Sequence, residues 1–388
     1  MTSGSTATLL RPVGPAELPA ALAAALDGGA PVAPLPDEAV ERALALRALR
    51  LDEPADAGAA VVVLSSGSTA EPKAVVLSAA AIRAGAGATH DRLGGPGHWL
   101  LPLPSHHVAG LMVLARAHLA GTAVVPLTRD LADLVGLALP SGRCYLSVVP
   151  TQLVRALEHP ALVAALAGLD AVLVGGGAVD PTVLARARAA GIACVTTYGM
   201  SETCGGCVYD GVPLAGVDVQ AGPGDGRVSI AGAVLFSGYR GRPDLTAEAL
   251  VAGRFRTADR ARWSTGPDGT ARLEVLGRTD DVVVSGGLNV DLAAVEARAQ
   301  AWPARGAAEL AVVGVPHPQW GVEVVAVTDA PPGEGLTLAP LQAWVRAELP
   351  AYAAPRRLVV LERLPHTPSG KVDRRRLQTE LTEPESTR

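Results

Sequence analysis

Lysine is almost missing from this chain. The 388 residues include 33 lysines and arginines together, and only two of these, Lys73 and Lys371, are lysines. The abundance of alanine, glycine, proline and arginine is typical of GC-rich coding, which converts most surface lysines to arginine. A lysine kept against that bias is expected to be needed for its compact ammonium, which reaches a single phosphate or carboxylate oxygen that a planar guanidinium does not fit. Chance retention is the alternative, and the residues around each lysine decide between the two.

The chain also lacks the features of nucleic-acid-binding, membrane and secreted proteins. Its net charge of −5 and its pI near 5.9 argue against nucleic acid or an anionic membrane surface as a partner. No apolar run approaches the roughly 20 residues that span a bilayer. The N-terminus has neither the basic start nor the long apolar core of a signal peptide. We therefore expect a soluble, cytoplasmic protein without membrane insertion.

Cysteine is scarce, and two common catalytic motifs are missing. The four cysteines, Cys144, Cys194, Cys204 and Cys207, do not suggest a secreted disulfide framework. No second CxxC or HxxxH completes a zinc site around Cys204 and Cys207, so we expect small buried side chains. Neither the GxxxxGK(S/T) loop of nucleoside triphosphatases nor the GxSxG elbow of α/β-hydrolases is present.

From Val61 onward, short β-branched runs alternate with stretches rich in alanine, leucine and arginine. This alternation is typical of an α/β architecture with buried, largely parallel strands. Strands are predicted at Val61–Leu64, Leu100–Leu103, Ala123–Pro126, Leu146–Val149, Ala171–Val174 and Ala193–Thr196. Helices are predicted at Ser78–Ala88, His107–Leu119, Thr151–Ala167 and Pro181–Ala190. We therefore predict a large N-terminal α/β domain.

The pattern changes twice in the remainder of the chain. Between Val217 and Arg278, short apolar runs are separated by turns that contain glycine and proline, which predicts a small β-rich subdomain. From Asp280 strands and helices alternate again, which predicts a separate, small α+β domain with a terminal basic helix. Its other elements are predicted as helices Asp291–Ala301 and Leu338–Glu348 and strands Leu310–Val315, Val322–Thr328 and Arg357–Leu361. The predicted domains are residues 1–279 and 280–388.

Lys73 ends a loop of small residues that follows the predicted strand Val61–Leu64. The loop, SSGSTAEPK from Ser65, offers hydroxyls and closely spaced backbone N–H groups. Such groups surround phosphate oxygens in many proteins, and a lysine at the rim adds positive charge. An ordinary polar turn has much the same composition. Taken alone, the loop indicates phosphate binding but leaves the polar turn open as an alternative.

Five segments, in order along the chain, resemble the motifs of acyl-adenylate-forming enzymes, which include acyl-CoA synthetases, peptide-synthetase adenylation domains and luciferases. SSGSTAEPKAV resembles that family's phosphate loop, (S/T)SG(S/T)TGxPKG. The others are YGMSET at Tyr198–Thr203, similar to YGxTE; RTAD at Arg256–Asp259, similar to the TGD step; GRTDDVVVSGGLNV at Gly277–Val290, similar to the hinge; and PHTPSGKVDRRRL at Pro365–Leu377, similar to the C-terminal lysine loop. On this resemblance the chain is identified as a member of the family.

The resemblance implies ATP-dependent adenylation of a carboxylic acid, in which Mg²⁺ and cations neutralise two anions that repel each other. It implies that Glu202 holds Mg²⁺, that Lys371 bridges carboxylate and α-phosphate oxygens, and that Asp259 accepts hydrogen bonds from ribose. In isolation, Glu202 would be interpreted as a solvated surface carboxylate and Asp259 as a loop cap. The implied ATP-binding residues are Ser66, Gly67, Ser68, Thr69, Lys73, Gly176, Gly177, Tyr198 (stacked on adenine), Gly199, Ser201, Asp259 and Arg278.

The resemblance also implies that the C-terminal domain is mobile. Asp280 matches the family's hinge position, where one residue absorbs the rotation of the small domain. Gly286 matches the glycine that approaches the CoA channel after that rotation. Coenzyme A is then the second substrate, and a homodimer is compatible with the family. Alanine replaces glycine at Ala70, Ala74 and Ala258, and since a methyl group is tolerated where φ is negative, we expect negative φ there or weaker ATP binding.

Within that family, HWLLPLPSHHVAGLMVLARA at His98–Ala117 most resembles the o-succinylbenzoate–CoA ligases of menaquinone biosynthesis. His107 and Arg116 are nine residues apart, so on an ideal helix they lie on opposite faces, and they line one pocket only if His107 stands at the helix N-terminus. Arg116 would pair with a second carboxylate of the acid, with a structural ion pair as the alternative. The predicted acid-binding residues are His107, Arg116, Gly175 and Met200, and the predicted catalytic residues are Lys371, Glu202 and His107.

We therefore predict an ATP- and Mg²⁺-dependent ligase that forms an acyl-adenylate from an aryl dicarboxylic acid and transfers the acyl group to CoA. Its partners are small molecules and not nucleic acid. The alternatives are a ligase for another aryl or acyl acid, an adenylating enzyme that serves a carrier protein, and a non-catalytic nucleotide-binding relative. The stand-alone chain favours CoA over a carrier protein, and Lys371 and Glu202 argue against a non-catalytic relative.

Overall fold

The computed structural model describes residues 8–65, 72–306, 308–329, 337–367 and 370–382. The chain divides into two compact units, the first with Met1–Gln220, Ser229–Thr257 and Trp263–Leu273, and the second with Ala221–Val228, Ala258–Arg262 and Glu274–Arg388. A large α/β unit and a smaller α+β unit confirm the predicted fold class. The boundary at Asp280 and the mobility of the second unit stay predictions.

The secondary structure alternates through most of the chain. Up to the end of the β-rich segment, its elements are β1 (Arg11–Val13), α1 (Leu18–Leu26), β2 (Val32–Pro34), α2 (Ala39–Leu49), β3 (Ala59–Leu64), β4 (Ala74–Ser78), α3 (Ala79–Leu93), β5 (His98–Leu101), α4 (Val108–Ala120), β6 (Val124–Pro126), β7 (Cys144–Val148), α5 (Pro150–Ala156), α6 (Pro160–Ala167), β8 (Ala171–Gly175), α7 (Pro181–Ala189), β9 (Cys194–Met200), β10 (Gly205–Tyr209), β11 (Val212–Pro213), β12 (Val217–Ala221), β13 (Arg227–Gly232), β14 (Gly238–Tyr239), α8 (Pro243–Ala249), β15 (Leu250–Val251), β16 (Arg254–Thr265) and β17 (Ala271–Arg278). The remaining elements are β18 (Val282–Ser285), β19 (Leu288–Asp291), α9 (Leu292–Gln300), β20 (Leu310–His317), β21 (Gly321–Thr328), α10 (Leu338–Arg346), β22 (Arg357–Val360) and α11 (Arg374–Thr382).

A seven-stranded sheet, in the order β11-β10-β9-β8-β7-β5-β6, is the centre of the first unit. The pairs from β6 to β9 are parallel, and β10 and β11 continue the sheet in antiparallel fashion. The parallel strands are continuous apolar runs, of which Ala171–Val174 is buried throughout, because helices cover both faces of such a sheet. The carboxyl ends of β8 and β9 therefore meet at one edge.

A second sheet, in the order β1-β2-β3-β4-β14, includes the N-terminal segment. The helices and strands before residue 59 are not predicted by the sequence pattern, although α1 buries Leu18, Leu22 and Leu26 at the four-residue spacing of an amphipathic helix. β3 and β4 are antiparallel partners, with Leu64 opposite Ala74. The loop that carries Lys73 thus joins two adjacent strands.

The prediction of one continuous helix at Thr151–Ala167 is wrong, because the structure has two helices there, α5 and α6. Pro160 has no N–H to donate, and its ring disfavours the helical conformation for the residue before it. His159 is accordingly extended, with φ −120° and ψ 105°. Pro160 begins α6, where the missing N–H costs nothing.

The second unit contains a sheet in the order β19-β18-β21-β20, with β22 parallel to β21. Alternate residues of β20 and β21 face two cores. One core includes Val295 of α9 and Leu341 of α10, and the other includes Leu377 of α11. The segment from Val217 to Arg278 is rich in strands, as predicted, with α8 as its helix. Among the described residues, no helix is long and apolar enough to cross a membrane.

Candidate active site

Two loops at the carboxyl edge of the central sheet carry many of the residues predicted to bind nucleotide. β8 ends at Gly175, which lies opposite Thr197 of the parallel strand β9. A Cβ atom on Gly175 would overlap Thr197 Oγ1, and Gly176 has a φ of +81°, so glycine is strongly favoured at both positions. Such an edge is the usual ligand site of an open α/β sheet.

Glu202 stands in a tight turn directly after β9. Residues Ser201–Thr203 form one turn of 3-10 helix, which the Thr203 hydroxyl stabilises by donating to Gly205 O at 2.7 Å. Glu202 is buried, with 8% of its surface exposed. The Tyr239 hydroxyl donates a hydrogen bond to Glu202 Oε1 at 2.8 Å. The turn therefore presents a buried carboxylate in a fixed orientation.

Lys73 and Tyr239 meet because their strands are neighbours. β14 pairs antiparallel with β4, and Tyr239 lies opposite Val75, two residues after Lys73. Lys73 Nζ is 5.1 Å from the centroid of the Tyr239 ring, within the range of cation–π attraction. Ser65 N donates to Lys73 O at 2.9 Å and closes the ends of the predicted phosphate loop. The predicted loop residues Ser66, Gly67, Ser68 and Thr69 lie outside the described residues.

Glu202 is suited to hold Mg²⁺ together with a nucleotide. Mg²⁺ at nucleotide sites is bound by one or two carboxylates and by phosphate oxygens, without a full cage of protein ligands. In the part of the chain that the structure describes, no group of three or more His, Cys, Asp or Glu residues could hold a metal ion. A single carboxylate with one oxygen held by Tyr239 fits the nucleotide-bound type of site.

His107 and Arg116 belong to α4 but have different neighbours. His107 caps the helix with φ −94° and ψ 151°, so it satisfies the geometric condition for sharing a pocket with Arg116, and its ring is 4.3 Å from that of His106. Arg116 is buried, with 4% of its surface exposed. Its guanidinium carbon lies 4.9 Å from the centroid of the Trp99 ring, and its Nε has no hydrogen-bond partner among the described residues.

The positive charge of Arg116 also reaches a buried histidine. Burial lowers the pKa of His90, and the charge of Arg116 lowers it further. His90 is therefore neutral at neutral pH and does not add to the positive charge beside Arg116. A buried guanidinium stacked on an aromatic ring, next to a neutral imidazole, is an environment in which a carboxylate would be strongly attracted.

Lys371, Asp259 and Arg278 come together in the second unit. Arg278 Nη1 lies 3.4 Å from Asp259 Oδ1 in an ion pair, and Thr367 N donates to Lys371 O at 2.7 Å in the turn that carries the lysine. Although Lys371 as a residue is exposed, the chain around its ammonium desolvates it and lowers its pKa. The charge of Arg278 lowers that pKa further, whereas Asp259 raises it. Two cations beside one carboxylate form a positive cluster that an anion would stabilise.

Gly286 occupies the turn between β18 and β19. It has a φ of +59°, and its N–H donates to Trp320 O at 2.9 Å. A Cβ atom at this position would lie 3.2 Å from the Trp320 ring, so both conformation and space favour glycine. Asp280 lies in the short 3-10 turn Thr279–Asp281. A hinge at Asp280 and a CoA channel at Gly286 stay predictions.

The cysteines are buried and have free thiols. Burial raises the pKa of both Cys204 and Cys207 to about 12. The thiolate, which is the reactive form, is therefore disfavoured at neutral pH. These properties match the small buried side chains expected from the sequence.

Two of the three alanines that replace glycine in the family's motifs are accommodated by the backbone. Ala74 lies on β4 and Ala258 on β16, and neither has a positive φ. A methyl group is therefore tolerated at both positions. Ala70 lies outside the described residues.

Comparison with known proteins identifies the family. Residues 11–237 match the model of the AMP-binding enzymes, and residues 295–371 match the model of the AMP-binding enzyme C-terminal domain. The chain belongs to the AMP-binding enzymes. This membership confirms the resemblance that the five sequence motifs indicated.

This AMP-binding enzyme has relatives among acid–CoA ligases. It is 47% identical over 340 residues to a protein from Mycobacterium tuberculosis named probable 2-succinylbenzoate–CoA ligase. This alignment covers 85% of this chain and 86% of that protein. It is 32% identical over 297 residues to feruloyl-CoA synthase from an Amycolatopsis species, covering 70% of this chain and 59% of that protein. Its fold is like that of o-succinylbenzoate CoA synthetase from Bacillus subtilis in complex with an acyl-adenylate intermediate, with a TM-score of 0.70, 22% identity, and coverage of 93% of this chain and 80% of that one.

Tyr239 contacts two predicted site residues, Glu202 and Lys73, and the sequence does not reveal these contacts. It is 37 residues from Glu202 along the chain and belongs to none of the motifs described above. The pairing of β14 with β4 brings Tyr239 to Lys73 and Glu202, and no local sequence pattern predicts that pairing. The one feature of the sequence that could draw attention to Tyr239 is the rarity of tyrosine, since the chain has only five.

Proposed function

We propose that this AMP-binding enzyme is a 2-succinylbenzoate–CoA ligase, which forms an acyl-adenylate from ATP and the acid and then transfers the acyl group to CoA. The observation that carries the choice of substrate is the 47% identity over 340 residues to the relative of that name. The prediction of an AMP-forming acid–CoA ligase of this class is thereby confirmed.

In the first half-reaction, a carboxylate oxygen attacks the α-phosphorus of ATP, an acyl–phosphate bond forms and pyrophosphate leaves. Since both reactants are anions, the site must supply positive charge. Lys73, whose Nζ lies 5.1 Å from the centroid of the Tyr239 ring, would contact phosphate oxygens. Glu202 would hold Mg²⁺, which neutralises phosphate charge when bound.

The second unit supplies the other cations. Lys371 would bridge the attacking carboxylate and the α-phosphate, and Arg278 would contact phosphate beside it. The charge of Arg278 lowers the pKa of Lys371, so the two cations repel each other until an anion lies between them. Binding of the anionic reactants would relieve this repulsion. Asp259 would accept hydrogen bonds from the ribose hydroxyls.

Adenine and the acyl group would bind at the sheet edge of the first unit. Tyr198 would stack on adenine, while Gly176, Gly177, Gly199 and Ser201 let the backbone approach the nucleotide. Glycine is required at Gly199, because a Cβ atom there would overlap the backbone oxygen of Gly205.

Recognition of the acid is assigned to α4 and the ends of β8 and β9. Arg116 would pair bidentately with the second carboxylate of 2-succinylbenzoate, and its buried position on Trp99 would make that pair strong. His107, Gly175 and Met200 would border the acyl group. The alternative for Arg116 is a purely structural stack on Trp99. The effect of Arg116→Ala on KM for acids with and without the second carboxylate distinguishes these two roles.

In the second half-reaction, the CoA sulfur gives up its proton and attacks the acyl carbonyl carbon, and AMP leaves with the bonding electrons. The proposal includes a hinge at Asp280, between domains 1–279 and 280–388, about which the small domain rotates to bring Gly286 to the CoA channel. A cytoplasmic location and a homodimer are further parts of it. Light scattering coupled to gel filtration tests the dimer, and a monomer at assay concentration would contradict it.

The test of the function is pyrophosphate release from ATP with a panel of acids, measured with and without CoA. The panel contains 2-succinylbenzoate, the same acid without its ring carboxylate (4-oxo-4-phenylbutanoate), and ferulate. We expect the highest kcat/KM with 2-succinylbenzoate and faster turnover when CoA is present. A higher kcat/KM with ferulate would favour the second candidate, a feruloyl-CoA synthase, which the 32% identical relative supports. No release with any acid would favour a non-catalytic relative.

A further inference from the structure

One tyrosine contacts both charged groups that we assign to ATP and Mg²⁺ in the first unit. The Tyr239 hydroxyl donates to Glu202 Oε1 at 2.8 Å, and the face of its ring lies 5.1 Å from Lys73 Nζ. Tyr239 and Glu202 are both buried, with 7% and 8% of their surfaces exposed. A single side chain thus orients an anion through its hydroxyl and a cation through its ring.

The hydroxyl of Tyr239 is the donor of its hydrogen bond to Glu202. A carboxylate oxygen accepts and a phenol O–H donates, so Glu202 Oε1 is held as the acceptor at 2.8 Å. A carboxylate fixed through one oxygen presents its other oxygen to a cation in a defined direction.

The Tyr239 ring is itself fixed by aromatic packing. Phe236 lies 4.9 Å from it, centroid to centroid, and Phe255 lies edge-on to Phe236 at 5.3 Å. Phe236 and Phe255 are the only two phenylalanines in the chain. Phe236 N also donates to Glu202 O at 2.9 Å, so the same cluster holds both the backbone and the side chain of Glu202.

The backbone on either side of Tyr239 is anchored as well. Tyr239 N donates to Thr246 Oγ1 at 2.9 Å. The next residue, Arg240, is buried and its guanidinium donates to the carbonyl oxygens of Leu49, Arg50, Glu53 and Pro54 and to the carboxylate of Asp56. Tyr239 therefore has little freedom to move away from Glu202 when the carboxylate changes its ligands.

We propose that Tyr239 is a positioning residue for adenylation: its hydroxyl aims the Glu202 carboxylate at the nucleotide-bound Mg²⁺, and its ring keeps Lys73 at the phosphates. The proposal rests on the proposed ATP-dependent function. Hydrogen-bonding partners of metal-binding carboxylates act in this way in many metal sites, and their removal costs about 10- to 100-fold in metal affinity or activity.

The test is calorimetric titration of Mg²⁺ into the protein saturated with an ATP analogue that has a methylene group between the α- and β-phosphates. Tyr239→Phe removes the hydroxyl and keeps the ring, so we expect Mg²⁺ affinity to fall about 10- to 100-fold while affinity for the analogue in EDTA stays unchanged. Tyr239→Leu also removes the ring, and its affinity for the analogue in EDTA should fall about 3- to 10-fold. The matched control is Tyr209→Phe, since Tyr209 is a buried tyrosine whose hydroxyl bonds to Thr89 Oγ1 at 3.1 Å. Its Mg²⁺ affinity should stay within about twofold of wild type.

Wild-type Mg²⁺ affinity in Tyr239→Phe would overturn the proposal, as would an equal loss in Tyr209→Phe. If Tyr239→Phe does not fold, Phe236→Leu takes its place, because it leaves both hydrogen-bonding groups present and removes the ring that supports them. We expect a smaller loss of Mg²⁺ affinity there, and no loss would overturn the proposal. Failure of the wild-type protein to bind the analogue at all would instead overturn the proposed function.

Discussion

Replacing Lys371 by alanine is expected to separate the two half-reactions. The lysine is exposed, and its turn is closed by backbone hydrogen bonds from Thr367 N to Lys371 O and from Gly370 N to Thr367 O, so the variant should fold normally. One preorganised group that stabilises developing charge contributes about 100- to 1,000-fold to kcat. Adenylation should fall by at least that factor. Thioester formation from preformed acyl-adenylate should be nearly unchanged, because it does not require attack on phosphorus.

The assays are acid-dependent exchange of pyrophosphate into ATP for the first half-reaction and CoA thioester formation from supplied acyl-adenylate for the second. Arg375→Ala is the matched control, since Arg375 is another exposed cation of the same segment with no role in the proposed chemistry. It should leave both rates within about twofold of wild type. Equal losses in the two half-reactions of Lys371→Ala would refute the assigned role and indicate a general defect.

The lowered pKa of Lys371 adds a prediction about pH. Adenylation needs the charged ammonium, so its rate should fall as pH rises through the pKa of Lys371, which lies below the ordinary lysine value of 10.5. Arg278→Gln removes one of the charges that lower this pKa. The alkaline limb of the adenylation profile should therefore move to higher pH in that variant, whatever happens to the maximal rate. A limb that stays in place would show that the two cations do not interact.

Three further experiments test other predicted parts of the site. Arg116→Ala should raise KM for 2-succinylbenzoate far more than for 4-oxo-4-phenylbutanoate, because losing one side of a buried charged pair costs about 2–5 kcal/mol; equal effects would make Arg116 a structural partner of Trp99. Asp280→Pro should allow acyl-adenylate to accumulate while CoA transfer slows, because proline holds φ near −65° and opposes rotation; quenched-flow detection of normal transfer would remove Asp280 as the hinge. Gly175→Ala should lower the free energy of unfolding by about 1–3 kcal/mol, and Thr197→Ala should restore part of it by removing the overlapping Oγ1; denaturant titration without such rescue would mean that the loop adapts in another way.

The sequence predicts the parts of the fold that depend on local patterns. Continuous apolar runs such as Ala171–Val174 mark the parallel strands, because strands covered on both faces need no polar residues. The local pattern also predicts a helix that starts at His107, and α4 starts one residue later, at Val108. The split at Pro160 was predictable in principle, since proline removes an N–H and restrains the residue before it. The alanine- and leucine-rich composition on both sides of it suggested one helix instead.

The candidate site is only partly visible in the sequence. Residues in motifs, such as Glu202 and Lys73, are found because their types and spacing resemble those of a family. Tyr239 is not found, because its contacts arise from the pairing of β14 with β4, which joins segments far apart in the chain. Likewise, the charge effects of Arg278 and Asp259 on Lys371 depend on a tertiary arrangement that no local pattern records.

Mass spectrometry of the products formed from ATP, Mg²⁺, CoA and 2-succinylbenzoate tests the ligase reaction as a whole. We expect AMP and a mono-CoA thioester of 2-succinylbenzoate in equal amounts, and the acyl-adenylate in place of the thioester when CoA is left out. ADP in place of AMP would contradict this mechanism. So would a complete reaction that yields the thioester while the reaction without CoA yields no detectable acyl-adenylate.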